Sequence, residues 1–201
     1  MNDKEQWNKY LEWSYDHFFS GIEFDQSVLE FGASVGYHSR LIQRQNPSLH
    51  IAVEPNAKAG AELTNIGGVI RYPMTYQEFY GLEEQERQPY DVVICCGILY
   101  HMLAPLDLLE KITNNTEPKK IIISNIDVAE DGLEKYTYEN ENLGRYLRGN
   151  NPIKYWHKLT KETIKEILLS VGYECKQELL TTEVWPKHVY YWQEYERIRS
   201  I

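Results

Sequence analysis

The chain has 201 residues, is 42% hydrophobic, and carries 21 Lys and Arg against 30 Asp and Glu, a formal charge of −9. That length suits one domain with a full core, and the acidic balance offers no global basic field to a phosphate backbone, which demotes nucleic acid as a partner and favours a small-molecule substrate. The longest apolar runs, such as Ile121 to Ile123, fall far short of the roughly 18 residues a membrane span needs, and the polar, charged start lacks a signal-peptide pattern, so neither membrane nor export is expected.

The three cysteines make an odd count, with Cys95 and Cys96 adjacent in an apolar stretch, so neither a disulfide framework nor a zinc pattern can be assembled. A reducing cytoplasm is the expected compartment, and no metal is expected. The 16 Tyr and 5 Trp exceed what a generic core requires, which points some of them toward a pocket or an interface.

In chain order, Trp7, Tyr10, Leu11, Ser14 and Phe18 fall at helical spacing and predict an amphipathic N-terminal helix over residues 3–19. Ser27 to Phe31 reads as a strand, Gly32 to Gly36 as a small-residue loop, and Leu41 and Ile42 as the inward face of a helix closed by Pro47. Leu49 to Glu54 is a second strand ending on an acid, Ala57 to Ile66 a helix stopped by Gly67 and Gly68, and Val69 to Tyr72 a third strand. Tyr90 to Cys96 has the continuous apolar pattern of a strand covered on both faces. Pro105 opens a helix, Lys120 to Ile126 is a fifth strand, and Thr160 caps a helix that Gly172 stops. Tyr173 to Leu180 and Lys187 to Gln193 are two late strands. The expected fold is α/β: a single domain over 1–201 with a seven-stranded, mostly parallel, Rossmann-like sheet, helices on both faces and an antiparallel C-terminal edge hairpin. Ligands of such sheets bind beyond the carboxyl ends of the strands.

The loop there is the most informative segment. In VLEFGASVGYHS, Gly32, Ser34 and Gly36 occupy the small positions of a strand-to-helix turn, where backbone can approach a ligand. A dinucleotide site would want a glycine at position 38, which is His38, and no acid beside its pyrophosphate, whereas Glu30 stands two residues before Gly32. A carboxylate there repels phosphate and complements a cation. Glu54, 22 residues past Gly32, sits where an acid can accept hydrogen bonds from ribose hydroxyls.

These residues resemble the class I S-adenosylmethionine-dependent methyltransferases, whose first motif is an acid, any residue, then Gly-x-Gly-x-Gly; here Ser34 replaces the middle glycine. The resemblance spans Ser27 to Gln193 and implies S-adenosylmethionine as cofactor. It also implies a set of contacts: Glu30 to the methionyl ammonium, directly or through water; the Gly32, Ala33, Ser34 and Gly36 backbone to the methionyl part; and Glu54 with Pro55 to the ribose. After the third strand, where the family often has an adenine-reading acid and this chain has none, Met74 and Thr75 are expected to contact the adenine by packing and backbone, and Cys96 and Gly97 complete the set. A second segment, Leu99, Tyr100, His101 followed by Pro105 and Leu106, is similar to the branch that includes tRNA wobble-uridine carboxymethyl-transferring enzymes and many small-molecule methyltransferases. It implies that Tyr100 and His101 face the reacting centre. An imidazole titrating near about 6.5 suits a general base.

Residues 131–157 break the strand–helix rhythm and are expected to form a substrate lid, with Tyr136, Arg145, Arg148, Tyr155 and His157 selecting the acceptor. The N-terminal aromatics are expected to pack as core or lid, His38 to start a helix, and Cys95 and Cys96 to behave as small buried hydrophobes. The expected function is methyl transfer to oxygen or nitrogen of a small molecule, a sugar or an acidic metabolite. Its alternatives are a tRNA-modifying methyltransferase and a non-catalytic module that binds S-adenosylmethionine. The oligomeric state has no signature in the sequence.

Overall fold

The computed structural model describes residues 3–83, 89–102, 104–126, 159–181 and 190–198. The strands are β1 (Ser27–Phe31), β2 (Leu49–Val53), β3 (Val69–Tyr72), β4 (Val92–Cys96), β5 (Lys120–Ile126), β6 (Tyr173–Leu180) and β7 (Tyr190–Arg197), the first five short and the last two longer and more polar. They make one seven-stranded sheet in the order β3-β2-β1-β4-β5-β7-β6. The first five strands are parallel, and β7 runs antiparallel to both β5 and β6, lying between them.

Side chains alternate between the faces of each strand, which divides the core in two. One face presents Val28, Val92, Ile94, Ile122 and Trp192 to α1 (Asp3–Ser14), its π-helical continuation Tyr15–Phe19, and α2 (Tyr37–Ile42). The N-terminal helix therefore ends at Phe19, as its spacing predicts, with Phe18 and Phe19 buried. The short α3 (Ala57–Ala61) continues as a 3-10 turn, Glu62–Asn65, and its Leu63 packs with Ala33 and Ala52. The opposite face carries Leu29, Phe31, Ile51, Val93, Ile121 and Ile123. It is covered by Leu108 and Leu109 of α5 (Pro105–Lys111) and by Ile164 and Leu168 of α6 (Lys161–Ser170). Thr160 caps α6 by accepting from the Thr163 N–H at 3.2 Å.

Three local features depart from the sequence expectations. The helix predicted over Ala57 to Ile66 is α-helical only as far as Ala61. The last strand, predicted as Lys187 to Gln193, is Tyr190–Arg197, with 182–189 outside the described residues. A further helix, α4 (Tyr76–Tyr80), packs Phe79 and Tyr80 against Phe31. Five residues are too few for periodicity to reveal, but a capping box marks α4: Thr75 Oγ1 accepts from the Glu78 N–H at 3.2 Å while Glu78 Oε2 accepts from the Thr75 N–H at 2.7 Å. No helix among the described residues is long and apolar enough to cross a membrane.

Candidate donor-binding and acceptor site

The strand order reverses between β1 and β4, so the loops after these two strands meet at the carboxyl edge of the sheet. The first loop bends through left-handed conformations at Gly32 (φ +72°), Ser34 (φ +52°) and Gly36 (φ +81°). Its glycines are required by space as well as by torsion. A Cβ at Gly32 would lie 2.7 Å from Ile98 of the second loop, and one at Gly36 would lie 2.4 Å from Ile66.

Ser34 adopts a backbone region that costs an L-residue about 1–2 kcal/mol. Ser34→Gly is therefore expected to raise stability by about 0.5–1 kcal/mol, a melting shift of roughly 2 °C for a chain of this size, after the entropy of the added glycine is subtracted. Thermal melts read the change. A lower melting temperature would show that the Ser34 hydroxyl compensates its own strain.

Two carboxylates flank this loop. Glu54, at the end of β2 and 6% exposed, accepts from the Ser34 N–H through Oε2 at 2.7 Å and from the Asn56 N–H through Oε1 at 2.7 Å. It thus ties the loops after β1 and β2 together. The loop amide that would cradle a pyrophosphate already serves a protein carboxylate, which excludes a phosphate at that position. Each oxygen of Glu54 keeps a lone pair for a further donor such as a hydroxyl.

Glu30, on β1, is 2% exposed. Its Oε2 accepts from Ser39 Oγ at 2.6 Å and faces His50 Nε2 at 3.1 Å. Burial pushes the Glu30 carboxyl upward, but hydrogen bonds from His50 and Ser39 and the fields of His50 and His38 outweigh burial and hold it below the usual carboxylate range. Glu30 is thus a carboxylate anchored below the loop, with Oε2 committed inward.

Gly97 ends β4 with φ +68° and donates its N–H to Ser124 O at 2.9 Å. A Cβ there would meet only the Tyr100 hydroxyl, at 3.4 Å. The turn Leu99–His101 follows. Tyr100 is 8% exposed, and burial together with its hydrogen bond to Tyr190 pushes its phenol well up, so it remains protonated. The exposed His101 ring lies 4.1 Å from that of Tyr100. Burial also raises the Cys96 thiol far above its ordinary range, which makes it an inert packing group.

Of the remaining predicted site residues, Ala33 is buried beside Leu63, Pro55 is exposed, and Met74 packs against the core from the end of β3. Thr75 is exposed and spends its hydroxyl on the cap of α4. Tyr136, Arg145, Arg148, Tyr155, His157 and the predicted insert lie outside the described residues.

Sequence reading missed the partners of Glu30, Ser39 and His50. The available signal was a histidine inside an otherwise apolar strand, but only the register of β1 on β2 brings His50 toward Glu30. His38, expected to start a helix, stands in the first turn of α2. Its ring also packs against Phe19 and Trp192 at 5.6 Å each, and its Nε2 is buried with no hydrogen-bond partner among the described residues. Burial pulls this imidazole below its ordinary range, against the charge of Glu30.

Taken together, the glycine cradle, the phosphate-excluding Glu54 and the buried Glu30 fit a donor that pairs a cationic amino-acid part with a ribose. S-adenosylmethionine has that chemistry.

A methyltransferase-domain family model matches residues 9–178. The tRNA U34 carboxymethyltransferase of Trichodesmium erythraeum is 28% identical over 127 residues, covering 61% of this chain and 38% of that protein. The protein of the same name from Nautilia profundicola is 22% identical, covering 64% of this chain and 43% of its own. The chain thus spans less than half the length of these relatives. Among solved structures, the Synechocystis magnesium protoporphyrin IX methyltransferase with bound S-adenosylhomocysteine superposes with a TM-score of 0.61 at 16% identity, covering 96% of this chain and 83% of that one. The DhpI complex with S-adenosylhomocysteine gives 0.65 at 13% identity, covering 96% and 86%.

The tRNA-directed relatives overturn the expectation that nucleic acid is demoted in favour of a small molecule. Net charge sums over the whole chain, whereas docking depends on local potential. Here acids are met by cations in pairs such as Lys119–Asp91, Lys120–Glu194 and Arg197–Glu117, so the sum says little about any one face. With the family model covering most of its length and the sheet order and glycine loop in agreement, the chain belongs to the methyltransferase-domain family, the class I S-adenosylmethionine-dependent methyltransferases.

Proposed function

We propose that this chain transfers a methyl group from S-adenosylmethionine to a base of tRNA. The observation that carries the reading is the recurrence of one substrate class among its relatives: proteins 22–28% identical to it, from several organisms, bear the name tRNA U34 carboxymethyltransferase. When bound, the donor supplies a methyl carbon made electrophilic by its sulfonium. The Gly32–Gly36 backbone would hold the methionyl part, Glu30 would attract the ammonium, and Glu54 would accept from the ribose hydroxyls.

Tyr100 and His101, in the turn after β4, would face the reacting end. His101 takes the proton released as the acceptor oxygen or nitrogen gains its methyl group, while Tyr100, kept protonated by burial, backs the imidazole. Tyr37, 47% exposed and edge-on to Trp7 with centroids 5.2 Å apart, offers a ring on which a base can stack. The exposed Lys4 and Lys9 of α1 and Arg40 of α2 lie on the same two elements and suit phosphates.

The test is incubation with total tRNA and methyl-labelled S-adenosylmethionine, followed by nucleoside mass spectrometry. A parallel incubation supplies a donor whose sulfonium bears a carboxymethyl group; label in a methylated nucleoside is expected, a carboxymethyl adduct in the second incubation alone would reassign the donor, and no adduct in either would sink the tRNA reading. For His101→Ala, turnover is expected to fall by about 10²–10⁴-fold while S-adenosylhomocysteine affinity stays within about threefold. Unchanged turnover would remove His101 from the reaction.

A further inference from the structure

Beneath the glycine loop runs a buried polar chain of which the proposed chemistry uses only Glu30. His50 is 0% exposed, Ser39 0% and Glu30 2%, so three polar side chains from β2, α2 and β1 share one dry compartment. Gln43, in the turn that extends α2, reaches into it. Its Nε2 lies 3.0 Å from His50 Nδ1 and 3.3 Å from the Gly68 carbonyl. The carbonyl fixes the amide with its N–H₂ toward Gly68, and a nitrogen donor there obliges His50 Nδ1 to accept. The ring proton is thereby placed on Nε2, which donates to Glu30 Oε2 at 3.1 Å. Gly68, at φ +82°, is the residue that lets Gln43 come so close, since a Cβ there would lie 2.4 Å from Gln43 Oε1.

Both bonds to Glu30 fall on the same oxygen, from Ser39 and from His50. Among the described residues Oε1 accepts no hydrogen bond, so both donors hold one side of the carboxylate. A carboxylate held by one oxygen and open at the other has a fixed direction. A buried carboxylate without those two donors would rotate, or take up a proton to escape its desolvation.

We propose that His50 is a positioning residue for donor binding: with Ser39 it clamps Glu30 Oε2 so that Oε1 is presented to the ammonium of the amino-acid part of the donor. The inference rests on the reading of Glu30 as the ammonium acceptor. Its order is Gln43 to His50 to Glu30 to ligand, so a residue with no contact to the ligand sets affinity for one end of it.

Two ligands separate positioning from structural loosening: S-adenosylhomocysteine, which carries the ammonium, and 5′-methylthioadenosine, which shares the adenosine but lacks the amino-acid part. Calorimetric titration of the full chain with both is run on Glu30→Gln, His50→Leu, His50→Gln and Ser39→Ala. His50→Leu is expected to lose about tenfold in affinity for S-adenosylhomocysteine and to bind methylthioadenosine like the parent. His50→Gln, which restores an N–H donor, is expected to recover affinity to within about threefold. Ser39→Ala is expected to show a smaller loss with the same selectivity, and it decides the matter should His50→Leu fail to fold. Equal losses for both ligands, or none, in the folded variants would overturn the role of His50 and Ser39. If Glu30→Gln leaves the preference between the two ligands unchanged, the ammonium reading of Glu30 fails instead.

Discussion

Glu54→Ala is expected to weaken S-adenosylhomocysteine binding by about 100-fold, measured by calorimetric titration. Hydrogen bonds to an ionised acceptor contribute about 1.5–3 kcal/mol each, and 100-fold corresponds to about 2.7 kcal/mol. The carboxylate acts twice. It would accept from the ribose, and in the protein itself it holds the Ser34 and Asn56 amides at 2.7 Å each, so its loss also releases the loop that forms the cradle. Glu54→Gln keeps one acceptor oxygen and is expected to fall between the parent and alanine. If the alanine protein binds as tightly as the parent, the assignment of the donor pocket to this corner of the sheet is wrong.

The largest expected change in stability is at Trp192. Its side chain is 0% exposed on β7, with ring centroids 5.0 Å from Phe18, 5.8 Å from Phe19, 5.6 Å from His38 and 6.1 Å from Tyr10. The N-terminal helix, its π-helical extension and α2 all rest on this one ring. Trp192→Ala is expected to cost about 3–5 kcal/mol through lost burial and an unfilled cavity. That is roughly 10 °C in melting temperature for a chain of this length. Denaturant unfolding checks it. A cost under about 1 kcal/mol would mean that the helical layer collapses onto the gap, contrary to the packing density of such cores.

The fold was legible because its signals are local. β1, β4 and β5 announce themselves as short, mainly apolar runs, and β1 leads directly into the Gly32–Gly36 turn, whose composition and distance to Glu54 point to the switch point. Thr160 and Gly172 bracket α6 by capping chemistry alone. What the sequence concealed depends on register or on short range. α4 is a single capped turn. The shift of the last strand to Tyr190–Arg197 depends on which residues pair with β5, with Ser124 opposite Trp192.

In the candidate site, the sequence pointed to Glu30 and Glu54 but not to their hydrogen-bond partners. The Glu30–His50 contact joins residues 20 positions apart across two strands, and the Ser34–Glu54 bond also spans 20 positions. Nor did the sequence show that the Thr75 hydroxyl caps α4, which leaves its packing and backbone for the adenine. The acceptor class was misjudged for a different reason: net charge carries no information about where charges sit.

The position of β7 has a consequence for how the sheet is assembled. It is the last strand in chain order, yet it lies between β5 and β6 and pairs with both along seven positions each. A ribosome delivering the chain releases β5 and β6 first, and until β7 arrives the β5 edge stays open and β6 has no sheet to join. Such an exposed, isoleucine-rich edge invites pairing with other chains. The Lys120 ammonium, which meets Glu194 of β7 at 3.0 Å in the finished sheet, is in the meantime a charge on that unpaired edge. Closure of the sheet therefore waits on β7, and stops within β7 would leave an aggregation-prone product instead of a shortened enzyme.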